Sequence, residues 1–422
     1  MIVARLLAAG LFFSLILPIA ATSLKFTKEG KFRSANDLSK NPEVDMNTVE
    51  LIRSKGYPVQ NHSVVTEDGY ILEVYRIPHG LHKSTGKHPV VLLQHGLLGS
   101  CDDFLVNPAN ESLGFILADA GADVWLGNSR GNRHSRRHKS LNPFSLKFWK
   151  FSWDDMAQYD LPATIYYILN QTGHEQLYYV GHSQGTAIAF ARFSEDQELA
   201  SRVKHLMALA PIGRVSHMTS PPMRLLLPFA EEMNFFLDVF GHGEFAIPAP
   251  LLRFLAGTFC EKWGEIVCEN FLFLLCGFNA RSFNTSRIDV YMSHDPAGTS
   301  ASTMLQWAQN VKSGQFQRFD FGEQKNLIKY GQKTPPLYDP RKVKVPVAIF
   351  RGGRDWLADA IDVDWLVPQL NVTHDINVPF YEHLDMIFGY DAVTLLYQYV
   401  FVLSIQGGAW STLTNINNTL RE

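Results

Sequence analysis

Short runs of continuous apolar residues alternate with longer amphipathic stretches through much of this chain. The apolar runs lie at residues 88–94, 123–126, 177–180 and 205–209. The stretches with helical character lie at residues 115–120, 154–169 and from 186 onward. Strands that are apolar on both faces and alternate with helices indicate a parallel sheet with helices on both faces. We therefore predict an α/β fold with a mostly parallel sheet.

The alternation is preceded by a predicted hairpin and interrupted by a long insertion. Residues 63–66 and 70–75 alternate about Glu67-Asp68-Gly69, which predicts two antiparallel strands. From Pro211 to about Tyr338 the chain is rich in Phe, Leu and Pro and loses the strand–helix rhythm. The rhythm resumes with apolar runs at residues 345–350 and 374–378. The predicted domains are a first core part at 42–210, a mainly helical cap at 211–339, and a second core part at 340–422.

The N-terminus has the pattern of a secretory signal peptide. Arg5 precedes an apolar run over residues 6–19, and small residues follow at 20–23. We predict a signal peptide over residues 1–21, cleaved near 21–23, and a flexible or removable segment over 24–41. The run is short for a transmembrane helix, and no later apolar run reaches spanning length. The chain is expected in the secretory pathway, either extracellular or lysosomal.

Six Asn-x-Ser/Thr sequons fit this route and are candidates for glycosylation. They are Asn61, Asn110, Asn170, Asn284, Asn371 and Asn417.

Charge and cysteine content exclude several classes of protein. The 38 basic and 41 acidic residues leave a net charge of −3, which indicates no nucleic-acid partner. No histidine pair accompanies the cysteines at ligand spacing, so we predict no metal site, and we expect no cofactor. Three cysteines, Cys260, Cys268 and Cys276, lie close enough in sequence for one local disulfide, which would leave one thiol free. No role is assigned to Cys101, and the oligomeric state is left open.

Two pentapeptides match the pattern Gly-x-Ser-x-Gly, in which a serine nucleophile projects from a sharp turn between a strand and a helix. They are residues 127–131, around Ser129, and residues 181–185, around Ser183. Both follow an apolar strand, but only the second is followed by a stretch rich in helix-favouring Ala. A polar run follows the first. We therefore predict that Ser183 is a nucleophile and that Ser129 belongs to a structural loop.

A serine nucleophile needs a histidine as base and an acid that orients the histidine. On this fold the acid and then the histidine follow the serine, past the carboxyl ends of later strands. Asp355 leaves a glycine turn after the strand at 345–350, and His383 follows the strand at 374–378. We predict Asp355 as the acid and His383 as the base. The less well placed rivals are Asp359, Asp362, Asp364 and His374.

A tetrahedral intermediate also needs N–H donors for its oxyanion. The expected donors are the backbone N–H groups of Gln184, directly after the nucleophile, and of Leu97, in the loop after the strand at 88–94. From His95 in that loop, the distance in sequence to Ser183 accommodates a strand and two helices. The distance to Ser129 does not, which is a second argument against Ser129.

With these positions the chain resembles the acid lipases, the gastric and lysosomal group of α/β-hydrolases, from about Asn41 to near the C-terminus. The motifs that carry the resemblance are residues 41–44 (NPEV), 65–72 (VTEDGYIL), 95–97 (HGL), 123–132 (DVWLGNSRGN), 159–163 (YDLPA), 181–186 (GHSQGT), 284–287 (NTSR), 352–359 (GGRDWLAD) and 383–385 (HLD).

The resemblance implies an α/β-hydrolase core and carries the family's site residues onto this chain. The implied residues are the nucleophile Ser183, the acid Asp355, the base His383, and the oxyanion donors Leu97 and Gln184. It also implies a disulfide between Cys260 and Cys268, with Cys276 left free. The pentapeptide around Ser129 is implied to be a structural signature of the family.

The inserted segment is strongly apolar at residues 223–229, 234–237 and 251–255. An apolar cap over a serine site suits an acyl chain at a lipid–water interface, so we predict hydrolysis of triacylglycerols or sterol esters. The alternatives are a soluble carboxylesterase or peptidase on the same fold, and a secreted lipid carrier with an inactive hydrolase fold. The basic run from Arg130 to Lys139 is interpreted as a solvated loop, with binding to an anionic surface as its alternative.

Overall fold

A computed structural model describes residues 41–82, 88–245, 276, 279 and 281–405. The predicted signal peptide, most of the polar segment after it, Asn417, Cys260 and Cys268 lie outside the described residues.

The strands form one large mixed sheet and one small antiparallel pair. In chain order they are β1 (Gln60–Val65), β2 (Tyr70–Ile77), β3 (Val90–Gln94), β4 (Asp123–Gly127), β5 (Arg137–His138), β6 (Leu177–His182), β7 (Val203–Leu209), β8 (Glu244–Phe245), β9 (Thr299–Ser300), β10 (Val347–Gly352) and β11 (Val372–Val378). The large sheet has the order β1-β2-β4-β3-β6-β7-β10-β11, with β5 paired to β2. Strands β4, β3, β6, β7, β10 and β11 run parallel, which confirms the predicted mostly parallel sheet.

Helices connect the parallel strands. The described helices are α1 (Thr48–Ser54), α2 (Leu113–Asp119), α3 (Leu161–Thr172), α4 (Gln184–Glu195), α5 (Gln197–Ser201), α6 (Pro221–Leu226), α7 (Ala230–Phe240), α8 (Ile288–His294), α9 (Ala301–Ser313), α10 (Glu323–Tyr330), α11 (Ala360–Leu366), α12 (Asp385–Phe388) and α13 (Gln398–Ile405). Strands β3, β4 and β6 are buried at every position because they are covered on both faces.

The register of the parallel strands brings several loops to one edge of the sheet. Gln94 at the end of β3 pairs with Gly181 in β6, and His182 at the end of β6 pairs with Leu209. Gly352 at the end of β10 pairs with Val378 at the end of β11. The loops after β3, β6, β10 and β11 therefore leave the same edge, where α/β proteins build their sites.

Most predicted elements are present, and two differ for physical reasons. The polar run after Gly131, predicted as a loop, contains the short strand β5, whose backbone pairs with the edge of the hairpin at Tyr70 and Ile71. The predicted helix at 154–169 begins with a π-helical turn over Met156–Asp160. Pro162 lacks an N–H group and crowds the carbonyl four residues earlier, so a wider turn forms before α3.

The insertion is helical in the part that the structure describes. Between β7 and β10 lie α6 to α10, together with the two-residue strands β8 and β9, which pair with each other. The division of the chain into a core and a separate cap stays a prediction. Within the described residues, no helix combines the length and apolar character needed to cross a membrane.

Candidate active site

Ser183 occupies a strained turn between β6 and α4. Its backbone has φ 53° and ψ −118°, in a region that residues with a Cβ atom rarely adopt. A Cβ atom on Gly185 would lie 2.6 Å from the carbonyl oxygen of Gln94, and one on Gly181 would lie 2.9 Å from the backbone of Gly185. Both flanking positions therefore require glycine, which explains the spacing of the pentapeptide.

Ser183, His383 and Asp355 form a continuous hydrogen-bonded chain. Nε2 of His383 lies 2.7 Å from Oγ of Ser183, and Nδ1 lies 2.9 Å and 3.1 Å from the two carboxylate oxygens of Asp355. All three side chains are buried. Because a carboxylate only accepts hydrogen bonds, Nδ1 carries the ring proton and Nε2 is left to accept a proton from the serine.

The loop that carries Asp355 is fixed by its own backbone and by the loop that carries His383. Oδ1 of Asp355 accepts hydrogen bonds from the N–H groups of Leu357, at 2.9 Å, and Ala358, at 2.8 Å. The N–H of Arg354 donates to the carbonyl of Tyr381 at 2.9 Å. A Cβ atom on Gly352 would lie 2.4 Å from the same carbonyl, so this glycine allows the two loops to approach.

The two predicted oxyanion donors lie in segments that border Ser183. A Cβ atom on Gly96 would lie 3.0 Å from Cβ of Ser183, so the loop that carries Leu97 passes directly beside the nucleophile. Gln184 is the first residue of α4, and its N–H belongs to the first turn, where N–H groups lack partners within the helix. The Oε1 atom of Gln184 accepts a hydrogen bond from the indole of Trp307 in α9 at 2.8 Å. The role of both N–H groups as donors stays a prediction.

The rival residues are engaged elsewhere. Asp359 caps α11 by accepting from the N–H of Ile361 at 2.9 Å, and Asp362 binds Arg214 and His217, each at 2.8 Å. Asp364 pairs with Arg351, and Nδ1 of His374 lies 2.8 Å from Oγ1 of Thr373.

Ser129 lies in a different environment from Ser183. Its Oγ accepts a hydrogen bond from the Gln94 amide at 3.0 Å, and its N–H donates to Nε2 of His95, also at 3.0 Å. The next residue, Arg130, is buried between Asp68 and Asp160, 2.6 Å and 2.7 Å away. The basic run that begins with Arg130 is therefore not uniformly solvated, because its first cation is paired inside the protein.

Two buried carboxyls next to His383 were not anticipated from the sequence. Burial, with the nearby charges of Asp385 and Asp355, raises the pKa of Glu382 to about 10. Burial likewise raises the pKa of Asp385 to about 7, although it accepts hydrogen bonds from the Glu382 N–H and the Asn279 amide. Both groups therefore favour the protonated form at acidic pH. The proximity of Glu382 and Asp385 to the predicted base in sequence was the only available signal.

Cys101, which had no predicted role, is a buried free thiol beside Asp102. Asp102 accepts hydrogen bonds from Thr48 at 2.6 Å and from His294 at 3.0 Å, and Nε2 of His134 lies 3.2 Å away. Cys101, Asp102 and His134 are the described residues whose potential metal-ligating atoms lie within 4.8 Å of one another. Asp102 thus connects its own loop to the segments of Thr48, His134 and His294 through hydrogen bonds.

Cys276 is also a buried free thiol, as the resemblance implies, while the pairing of Cys260 with Cys268 falls outside the described residues.

Four of the predicted glycosylation sites are exposed and one is half-buried. The exposed residues are Asn61, Asn110, Asn170 and Asn371, and the half-buried one is Asn284.

The sheet topology and the position of Ser183 at the end of β6 define an α/β-hydrolase. A family model described as "alpha/beta hydrolase fold" matches residues 89–390, and one described as "Partial alpha/beta-hydrolase lipase region" matches residues 48–108. A solved structure of DcsB with its substrate analogue has a TM-score of 0.50 at 14% identity, and covers 82% of this chain and 99% of that one. At this identity the likeness concerns the fold alone.

Curated relatives define the family more closely. The chain is 50% identical to human "Lysosomal acid lipase/cholesteryl ester hydrolase", over 86% of this chain and 91% of that protein. It is 49% identical to human "Gastric triacylglycerol lipase", over 84% of this chain and 90% of that protein. This chain belongs to the acid lipase family, the gastric and lysosomal group of α/β-hydrolases.

Proposed function

We propose that this protein is a lipase that cleaves carboxylic esters through a covalent acyl-enzyme. Ser183 is the nucleophile, His383 the general base and then acid, and Asp355 the group that orients the imidazole. The single observation that carries the proposal is the buried hydrogen-bonded chain of these three side chains, with separations of 2.7 Å and 2.9 Å. Family membership supports the same assignment.

In the proposed reaction, Oγ of Ser183 attacks the ester carbonyl while Nε2 of His383 takes the hydroxyl proton. The tetrahedral intermediate collapses, the alkoxy group leaves with that proton, and an acyl-serine remains. Water then attacks the acyl-serine, again with His383 as base, and the fatty acid and free Ser183 are released. Asp355 stabilises the imidazolium formed in each half-reaction and stays ionised.

The oxyanion of both intermediates is proposed to bind the backbone N–H groups of Leu97 and Gln184. The closeness of the Gly96 loop to Ser183 and the position of Gln184 at the start of α4 support this assignment. The hydrogen bond from Trp307 to Gln184 keeps the Gln184 side chain in one orientation beside the site.

The proposed substrates are triacylglycerols, sterol esters or both, taken from a lipid–water interface. The names of the two human relatives include a cholesteryl ester hydrolase and a triacylglycerol lipase. Apolar side chains on α6 and α7 are largely solvent-exposed, which suits contact with a lipid phase. They include Leu225 at 65%, Phe235 at 58% and Val239 at 52% exposure.

The protein is proposed to pass through the secretory pathway to the lysosome or the extracellular space. The signal-peptide pattern of residues 1–21 and the exposure of four sequons support this route. Relatives with lysosomal and gastric names agree with it.

The test compares the wild type with Ser183→Ala on emulsions of triolein and cholesteryl oleate over a range of pH. We expect hydrolysis of at least one emulsion by the wild type, an activity jump above substrate solubility, and loss of both with Ser183→Ala. Activity restricted to monomeric short esters would instead identify a soluble esterase. Failure of a fluorophosphonate to label the wild type would identify a lipid carrier, and full activity in Ser183→Ala would refute the serine mechanism.

A further inference from the structure

His182 directly precedes the nucleophile in sequence, and its side chain contacts the backbone of the base, His383. The His182 side chain is buried at the end of β6, and its Nε2 atom lies 3.0 Å from the backbone carbonyl oxygen of His383. A carbonyl oxygen only accepts hydrogen bonds, so Nε2 of His182 carries the ring proton and donates it. The two imidazole rings lie 5.0 Å apart, centre to centre.

The other ring nitrogen of His182, Nδ1, differs from Nε2 in its hydrogen bonding. Nδ1 is buried and has no hydrogen-bond partner in the part of the chain that the structure describes. A Cβ atom on Gly96 would lie 3.1 Å from Nδ1, so the loop beside the nucleophile closes over this side of the ring. Burying an unpaired acceptor costs free energy, and a phenyl ring of similar size would avoid that cost.

His182 also stays neutral beside a histidine that must gain a proton during the reaction. Burial, together with the positive charge of protonated His383, lowers the pKa of His182 to about 3. His95 is neutral too, since burial lowers its pKa to about 4. The hydrogen bond from His182 therefore does not change with pH in the mildly acidic range.

We propose that His182 is a positioning residue that holds the backbone of His383 in place, so that the imidazole of His383 stays within reach of Ser183. The inference rests on the proposed serine mechanism. His182 connects the strand that carries the nucleophile to the loop that carries the base, residues 182 and 383 being far apart in sequence. Burial of the unpaired Nδ1 lowers the stability of the fold. The proposal explains why a histidine is kept there: its Nε2 fixes the position of the His383 backbone.

The experiment compares His182→Phe and His182→Gln with the wild type on a soluble short-chain ester. His182→Phe keeps the ring and removes the donor, so kcat is expected to fall roughly 10- to 100-fold with KM changed less than about twofold. The melting temperature is expected to change little, because the substitution removes the unpaired Nδ1 but also leaves the carbonyl of His383 without its donor, and these two effects oppose each other. Gln places an amide donor where Nε2 was, and His182→Gln is expected to recover kcat to within about fivefold of the wild type.

The matched control is His62 in β1, away from the site. Its side chain is partly buried, and one of its ring nitrogens has no hydrogen-bond partner among the described residues. His62→Phe should leave kcat unchanged. The positioning role is refuted if His182→Phe keeps wild-type kcat, or if it loses activity only in proportion to lost folded protein. A wild type that neither hydrolyses the ester nor reacts with a fluorophosphonate would overturn the serine mechanism itself, which is a separate outcome.

Discussion

The two Gly-x-Ser-x-Gly pentapeptides lie at the ends of β4 and β6, the two strands that flank β3 in the same sheet, and differ in what surrounds their serines. Both serines are buried, with exposed fractions of 4% for Ser129 and 8% for Ser183. Ser183 has a positive φ, opens a helix and meets the imidazole of His383. Ser129 accepts from the Gln94 amide and precedes Arg130, whose guanidinium lies between two carboxylates.

The pentapeptide itself specifies only a close turn, since the same pattern surrounds two serines in different environments. In the second pentapeptide the turn leads into α4, and Nε2 of His383, a residue 200 positions later in the chain, lies 2.7 Å from Oγ of Ser183. In the first pentapeptide the turn leads into Arg130, whose guanidinium pairs with Asp68 in the hairpin turn and with Asp160 directly before α3. Ser183 therefore lies within hydrogen-bonding distance of an imidazole, whereas Ser129 belongs to a buried hydrogen-bonded loop.

Exchanging each serine for alanine gives the largest expected contrast. Ser183→Ala removes the nucleophile, so turnover of a soluble ester should fall by about 10⁵-fold or more. Ser129→Ala leaves the Gln94 amide short of an acceptor, so it should lower the free energy of unfolding by about 1–2 kcal/mol while kcat stays near the wild-type value. Ester turnover and urea unfolding measure the two effects. Comparable loss of turnover in both variants would break the distinction.

One charged residue from each region, Asp355 and Arg130, should also separate activity from stability. Asp355→Asn disturbs the ring tautomer of His383 and should lower kcat by about 10⁴-fold with little change in unfolding. Arg130→Met leaves Asp68 and Asp160 without their partner, and should lower the free energy of unfolding by about 3 kcal/mol. The fraction of folded protein, measured by urea unfolding, would normalise the activity of each variant. Near-normal kcat in Asp355→Asn would contradict the assigned role of this residue.

Gly185 and Gly127, one from each turn, should differ in how well they tolerate substitution by alanine. A Cβ atom on Gly185 meets the backbone carbonyl of Gln94 at 2.6 Å, whereas one on Gly127 meets the end of the Gln94 side chain at 2.5 Å. A backbone clash forces the turn to shift, so Gly185→Ala should cost about 3 kcal/mol and most of the activity. Gly127→Ala requires only that an amide rotate and should cost about 1–2 kcal/mol. Thermal unfolding of both variants checks the order, and equal losses would contradict it.

The smallest predicted effect per pH unit is an opposite pH dependence of stability for Glu382, beside His383, and Asp68, beside Arg130. Burial raises the pKa of Glu382 to about 10, so its contribution is complete below pH 4.5 and is lost as pH rises towards 10. Although burial opposes it, Arg130 lowers the pKa of Asp68, so the contribution of Asp68 is present above pH 3.8 and is lost as pH falls through the lowered value.

Urea unfolding at several pH values tests both signs. Glu382→Gln should flatten the alkaline loss of stability by up to about 1.4 kcal/mol per pH unit, and Asp68→Asn should flatten only the acid loss. A steeper alkaline loss in Glu382→Gln than in the wild type would reverse the assignment.

Much of the core was predictable because its signals are local. The apolar runs that became β3, β4, β6, β7 and β10 are buried on both faces, and the turn at Glu67-Asp68-Gly69 confirms the predicted hairpin. The strand β5 was missed, because its two residues pair only with the edge of a hairpin distant in sequence. The charged neighbours of Arg130 were missed for the same reason, since Asp68 and Asp160 come from separate elements.

The parallel sheet, the two candidate turns and the candidates Ser183, Asp355 and His383 could be predicted from the amino-acid sequence. They follow from periodicity, turn chemistry and chain order, which are properties of short segments. The fold was needed to show that these three side chains are linked by contacts within 3 Å, that His182 contacts the carbonyl of His383, and that Arg130 is buried among carboxylates. Such contacts join residues from different strands, and the alignment of strand ends across the sheet brings them together.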